Sequence, residues 1–226
     1  AKFGSNTTGT GSLSQPYKTI QFAIDTADSG QKIYVLPGTY AENLVLDKQI
    51  RLYSDVVRLG NENATSTTIV NGGFNGRIVE FSSTSSRFDK DSTILDGFTF
   101  KNGDTGGNEG SGLYANYISG TGVTIKNSVI SNNRKQCCSS GIAIRFNGVG
   151  LDLYNVDILN NGSPTYGDER TIVYLTNSDG HWENVRFRGN EANNELVLLE
   201  NSDVEIQNSD FIGNTIQDYD QSLIKL

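Results

Sequence analysis

Side chains able to do acid–base, metal or thiol chemistry are thinly spread along this chain of 226 residues. Carboxylates cluster loosely at Asp89 and Asp91, Asp104 and Glu109, Asp168 and Glu169, and Asp218 and Asp220. Oxygen donors of this kind hold Ca²⁺, so Ca²⁺ is the one ion these clusters could take; otherwise no metal or cofactor is expected. A solvated loop accounts for each cluster equally well. Basic residues on expected strands are Arg77, Lys126, Arg145, Arg186 and Arg188. The single histidine, His181 in Asp179-Gly-His-Trp182, enters a strand and reads as a corner or surface residue. Cys137 and Cys138 are adjacent and lie in a long connection. In a secreted protein exposed free thiols are disfavoured, so a vicinal disulfide is one expectation. Such a bridge is a rigid apolar plate that could stack on a sugar ring, or simply a stiffener of its loop. Asn6, Asn63 and Asn161 head Asn-x-Ser/Thr sequons, which matter only in a glycosylating, extracellular setting.

These residues are positioned by a repeat, clearest from residue 123 onward. Segments 123–133, 151–161, 181–190 and 204–214 align without gaps. Each carries an Asn, an apolar residue three positions later, and a second Asn three after that. The first column is Asn127, Asn155, Asn184 and Asn208; the second is Asn133, Asn161, Asn190 and Asn214. Asp96–Gly103 fits the same frame with Gly97 and Gly103 in the Asn columns. Phe100, Ile130, Ile158, Phe187 and Phe211 share one apolar position, and Leu95, Ile125, Leu153, Trp182 and Ile206 another. A residue type recurring once per roughly 20–30 residues stacks on itself when each repeat is one turn of a solenoid. Asn suits the corners because it tolerates strained turns and bonds nearby backbone, and stacked Asn amides can bond along the axis.

A second short strand is expected in each repeat: 77–81, 111–115, 141–146, 171–175, 196–200 and 222–226, all β-branched or aromatic and bounded by turn residues. One strand per face with corners between describes a parallel β-helix. Residues 16–29 form the one helical pattern, with Ile20, Ala23, Ile24 and Ala27 at helical spacing and Gly30 after it. A helix over about 18–29 can cap the open apolar end of the solenoid. The division is then a polar arm over 1–19 and one β-helix domain over 20–226, its coils spanning about 31–226.

The order Pro16-Tyr-Lys-Thr-Ile-Gln21, Ala23-Ile24, Gly30-Gln-Lys-Ile-Tyr-Val35, Pro37-Gly-Thr-Tyr40, Glu42-Asn43 resembles the N-terminal cap and first coil of the right-handed parallel β-helix (pectin-lyase-like) superfamily. The units Phe187-Arg-Gly-Asn190 and Phe211-Ile-Gly-Asn214, with Ser-Gly-Leu and Ser-Gly-Ile strand starts, resemble repeats of chlamydial polymorphic outer-membrane proteins and related surface β-helices. The resemblance implies an all-β, right-handed parallel β-helix solenoid. It does not imply one activity, because members include lyases, hydrolases, esterases, adhesins and tailspikes. The Asp-Asp pair and Gly-His-Gly of polygalacturonase-like hydrolases are absent here, as are the motifs of pectin-methylesterase-like sites. A Ca²⁺-dependent lyase with Arg or Lys as base is the enzymatic alternative.

A net charge of −8 argues against a nucleic-acid groove, which needs clustered Lys and Arg. No apolar run is long enough to span a membrane. The chain starts at Ala1 and holds no Met, as expected of a start that has been processed or trimmed, with any signal peptide already gone. Residues Ser222, Leu223, Ile224, Lys225 and Leu226 form a strand whose edge would be open. Open edges pair with other chains, which here means a longer parent chain or another copy docking head-to-tail into a filament. The leading expectation is an extracellular or cell-surface structural or adhesive β-helix. A polysaccharide-binding β-helix, using exposed Tyr and the Cys137–Cys138 plate, is the alternative beside the lyase.

Overall fold

The computed structural model describes residues 1, 3–60, 67–82, 88–91, 93–106, 108–116, 120, 122–135, 141–162, 171–217 and 222–226. The chain winds through seven coils. Coil one holds α1 (Ile20–Thr26), β1 (Lys32–Val35), β2 (Gly38–Tyr40) and β3 (Leu44–Leu46). Coil two holds β4 (Arg51–Ser54), α2 (Asp55–Arg58), β5 (Thr68–Asn71) and β6 (Val79–Phe81). Coil three holds β7 (Ile94–Asp96), β8 (Thr99–Lys101) and β9 (Leu113–Asn116). In the next three coils the first two strands run on as one bent strand. These are β10 (Val123–Ser131) followed by β11 (Ile144–Asn147), β12 (Leu151–Leu159) by β13 (Val173–Thr176), and β14 (Gly180–Arg188) by β15 (Glu191–Ala192) and β16 (Val197–Glu200). The last coil holds β17 (Val204–Gln207), β18 (Asp210–Ile212), β19 (Thr215–Ile216) and β20 (Ile224–Lys225).

Every ladder between these strands is parallel, and strands pair with their counterparts one coil away, so the chain is a right-handed parallel β-helix. Its three faces follow from the pairing. Face one is β1-β4-β7-β10-β12-β14-β17. Face two is β2, β5 and β8, the second halves of β10, β12 and β14, and β18. Face three is β3-β6-β9-β11-β13-β16-β20. The register stacks like on like. Ile33, Leu52, Leu95, Ile125, Leu153, Trp182 and Ile206 form one inward column. Tyr40, Val70, Phe100, Ile130, Ile158, Phe187 and Phe211 form another. Both apolar columns read from the sequence are these stacks, extended upward by two coils. The face-three strands begin about two residues later than expected. Their entry residues, such as Gly141 at φ +74°, bend inward and bond the next coil before the ladder starts.

The two Asn columns do different work. Asn127, Asn155, Asn184 and Asn208 sit at φ +44° to +55°, with Gly97 at +85°, and turn the chain from face one to face two. Their amides also stack, Asn155 Nδ2 donating to Asn127 Oδ1 and Asn127 Nδ2 to Asp96 Oδ1, both at 2.9 Å. In the second column the left-handed residue is the preceding one: Asn102, Asn132, Asn160, Gly189 and Gly213. The column residues point inward instead. Asn133 Nδ2 donates to Asn161 Oδ1 at 2.9 Å, Asn161 Nδ2 to Asn190 Oδ1 at 3.1 Å, and Asn190 Nδ2 to Asn214 Oδ1 at 2.9 Å. Each of those oxygens also accepts the backbone N–H of the Asn above it. Gly103 replaces Asn at the top of this ladder because a Cβ there would lie 1.9 Å from the Ser111 carbonyl oxygen.

Helix α1 closes one end of the solenoid, burying Ile20 and Ile24. It is shorter than the 18–29 pattern because Ala27 is already extended, with ψ 147°. Thr19 caps it by accepting from Phe22 N, and the Glu42 carboxylate takes the amides of Ile20 and Gln21 at 3.0 and 2.9 Å. Residues 3–19 fold back on themselves rather than trailing as an arm. Ser5 N donates to Pro16 O, Thr10 N to Gln15 O, and Asn6 Oδ1 accepts from Lys18 and Thr19.

Tyr40 lies in the topmost rung with its hydroxyl donating to Leu36 O at 2.7 Å. Burial, with Glu42 nearby, pushes its phenol up to about 12. The folded state therefore holds this proton more tightly than the unfolded chain, where the phenol titrates near 10. Its contribution is complete below pH 10 and is lost as the pH rises towards 12. Stability is expected to fall by on the order of 2 kcal/mol across that window. Urea midpoints at pH 8 and pH 11.5 check this, and Tyr40→Phe should flatten the dependence.

Candidate functional site

Outward positions on face one alternate with the buried column, so each coil carries two side chains on the outer side there, of which Asp96, Thr124 and Asp152 are covered by neighbouring parts of the chain. One outward row is Tyr34, Tyr53, Asp96, Lys126, Tyr154, Glu183 and Gln207. Six rung spacings make it roughly 29 Å long. Tyr34 and Tyr53 stack with centroids 5.6 Å apart at 25°, and Tyr34 is 47% exposed. Lys126 Nζ lies 5.2 Å from the Tyr154 ring centre. Burial raises the phenols of Tyr53 and Tyr154, so both remain neutral hydrogen-bonding groups at ordinary pH.

The row lies in a groove between two flanking segments, with Asp96 buried within it. Along one side runs segment 88–91: Lys90 Nζ sits 2.7 Å from Asp152 Oδ1, Lys90 O accepts from Thr124 Oγ1, and Arg51 Nε donates to Asp91 O. On the other side, near its upper end, stands α2. A Cβ on Gly97 would lie 2.4 Å from Val57 Cγ2, so glycine is what lets α2 sit there. His181 is on the outward side of β14 rather than at a corner. Its Nδ1 is 3.1 Å from Glu205 Oε2 and its ring is 5.6 Å from that of Tyr154. Gln207 first, and then His181, hold the Glu205 carboxyl below its usual range. Asp152 also accepts the His181 backbone N–H, and Asp96 accepts from Asn127. Three carboxylates of the groove, Asp96, Asp152 and Glu205, are thus tied into the protein.

The other charged residues singled out in the sequence do not converge. Asp104 pairs with Arg134 at 2.9 Å, whereas Glu109 reaches Arg145 at 3.0 Å. Asp89 accepts from Gln49. Arg186 chelates Asp157 and Arg188 pairs with Asp210 on face two. On face three Arg77 lies 3.7 Å over Tyr114 and Arg145 4.0 Å over Tyr174, a cation–aromatic ladder with stabilising value along the sheet. Among the described residues no three His, Cys, Asp or Glu side chains gather where an ion could sit. Cys137 and Cys138, Asn63, Asp168 and Glu169, and Asp218 and Asp220 lie outside the described residues. Of the sequons, Asn6 spends Nδ2 on Thr19 Oγ1, and Asn161 is buried in the ladder. A glycan on either would displace those bonds.

The family model described as "Protein of unknown function (DUF1565)" matches residues 3–162. The chain belongs to the DUF1565 family. The matched segment takes in the folded N-terminal segment, α1 and the coils as far as β12, and with them Tyr34, Tyr53, Asp96, Lys126 and Tyr154 of the groove. No curated protein matches the sequence. Two solved structures are similar, both of the pectin methylesterase from Aspergillus niger, one in deglycosylated and one in penultimately deglycosylated form. Each has a TM-score of 0.42, at 13% and 14% identity, over 95% of this chain and 88% of that chain.

The outward row escaped the sequence reading, although its address was there. Its members occupy the position immediately before the first Asn column, as Lys126 precedes Asn127 and Tyr154 precedes Asn155.

Proposed function

We propose that this chain is an extracellular, adhesive surface β-helix that holds a polysaccharide along the groove of face one. The observation that carries the reading is the row from Tyr34 to Gln207. Stacked tyrosine rings offer flat apolar area, and Lys126, Tyr154 and Glu183 on successive rungs offer hydrogen-bonding partners. A glycan has this same alternation of apolar ring faces and hydroxyl edges. Binding rather than cleavage is favoured because Asp96, Asp152 and Glu205 are each engaged by protein donors. Affinity electrophoresis through gels containing neutral and acidic polysaccharides tests it. The native chain should be retarded by at least one of them, and a Tyr34→Ala/Tyr53→Ala chain should bind at least tenfold more weakly, about 1.4 kcal/mol. Equal retardation of the two chains would overturn the reading.

Head-to-tail assembly is a second reading, favoured by the last coil. Its inward residues Ile206, Phe211, Ile216 and Ile224 are only partly buried, whereas Trp182, Phe187, Ala192 and Val197, one coil earlier, are fully buried. Leu223 and Leu226 are exposed, and β20 is pinned by Lys225 to the buried Glu195 at 3.1 Å. A further β-rung, from another copy or from a longer parent chain, would cover this surface along the edge of Ser222–Leu226. Electron microscopy over a range of concentrations separates the cases: ordered fibres support assembly of copies, and isolated rods at all concentrations argue against it.

A further inference from the structure

Face one does not end at Tyr34. Beside it, between the folded N-terminal segment, α1 and the first rung, is a cavity of about 500 Å³. Its floor is apolar, formed by Ile20, Ala23, Ala27 and Ile33. Its lining carries three tyrosines, Tyr17, Tyr34 and Tyr40, with Thr10, Ser12, Lys32 and Asp55 around them. Lys32 and Tyr34 belong both to the cavity and to the outward rows of face one, so cavity and groove are continuous.

From this we infer that the cavity is a terminal subsite that takes the end of a neutral glycan chain whose body lies in the groove. Three features lead there. Its size is that of a small-ligand pocket and suits one or two sugar rings. Apolar floor, aromatic rings and hydroxyl-bearing walls together match the faces and edges of a pyranose. The lining also carries little of the bias an anionic sugar would need: Lys32 is offset by Asp55, the Ala1 ammonium donates to Tyr17 O and Lys18 O, and the first amides of α1 are spent on Glu42. The N-terminal segment is built to hold this wall in place. A Cβ on Gly4 or Gly9 would fall 2.3 Å from Tyr17 O or 2.2 Å from Ser5 O, and Gly11, at φ +79°, packs on the Tyr17 ring. A rigid wall closing one end of an open groove converts a surface that slides along a chain into one that registers its terminus.

The inference rests on the reading of the groove as a glycan track, and the two can fail separately. The test is calorimetric titration of the full chain with neutral cello-, xylo-, manno- and galacto-oligosaccharides of two and six units. Three variants are compared: Tyr53→Ala in the groove, Tyr17→Ala in the cavity wall, and Ser12→Trp, which fills the cavity from an exposed position and leaves the core untouched. The expected result is that one disaccharide binds the native chain and Tyr53→Ala equally. It should bind Tyr17→Ala and Ser12→Trp at least tenfold more weakly, while the matching hexamer is weakened by all three. A hexamer bound without its disaccharide, or a disaccharide indifferent to Ser12→Trp, overturns the terminal subsite and leaves the groove standing. A disaccharide sensitive to Ser12→Trp, with a hexamer indifferent to Tyr53→Ala, keeps the cavity and sinks the groove. No binding of any probe overturns the terminal subsite as a neutral-glycan site, and retardation by an acidic polysaccharide in the electrophoresis above would then still uphold the groove.

Discussion

Asn161→Ala is expected to destabilise the fold by about 3–5 kcal/mol, as a drop in the urea midpoint followed by the fluorescence of the single tryptophan, Trp182. The side chain sits at the centre of the inner ladder. Its oxygen accepts from Asn133 N at 3.0 Å and Asn133 Nδ2 at 2.9 Å. Its nitrogen donates to Ile130 O at 2.9 Å and Asn190 Oδ1 at 3.1 Å. Asn161 and its neighbours Asn133 and Asn190 are at most 1% exposed, so no water replaces what the alanine removes. At least two backbone groups and two amide groups lose a partner in the dry interior, at about 1–3 kcal/mol each where no relaxation helps. Asn155→Ala is the contrast. Asn155 makes one side-chain bond at the surface and sits at φ +55°, so alanine there costs mainly left-handed strain of about 1 kcal/mol. Asn155→Gly should be close to neutral. If the Asn161 and Asn155 variants lost equal stability, the inner ladder would not be what joins the coils.

That contrast also marks where the sequence stops being informative. The spacing of Asn127 to Asn133, repeated at 155 and 161, locates two positions in a coil, and both columns exist where expected. It does not reveal that one column bends the backbone while the other points inward, because both tasks select the same residue type. The apolar columns were legible for a simpler reason. A buried position stacked on itself must repeat in size and polarity, so Ile125, Leu153 and Trp182 announce themselves. Solvent imposes no such repetition on the outward row. Tyr, Asp, Lys, Tyr and Glu follow one another there, and a search keyed on identity passes over them. The cavity was further out of reach. Its walls come from Ala1, from residues within 10–17 and 19–36, and from Tyr40 and Asp55, which meet only after the first segment has folded back and α1 has crossed the end of the solenoid.

Phe187→Ala is the second large loss, about 3–5 kcal/mol for deleting a buried aromatic ring. Phe187 is fully buried between Ile158 above and Phe211 below, stacked on the Phe211 ring at 4.6 Å and 11°, with Trp182 at 6.3 Å. In a solenoid each coil contacts only its neighbours, so stability is a sum of coil terms and interface terms. Emptying the Phe187 position cuts the interfaces on both sides of its coil. The loss should appear as a separate early transition of the coils from β14 onward, seen as faster amide exchange in β16 and β17 than in β11 and β12. Phe211→Ala removes the same ring one coil later, where the side chain is only partly buried, and should cost about 1–2 kcal/mol, since less area leaves water there. The difference between the two variants therefore measures how well the last coil is covered in solution. A Phe211→Ala loss that grows with protein concentration towards that of Phe187→Ala would mean that another copy completes the apolar stack. A small loss independent of concentration would mean that the last rung faces water.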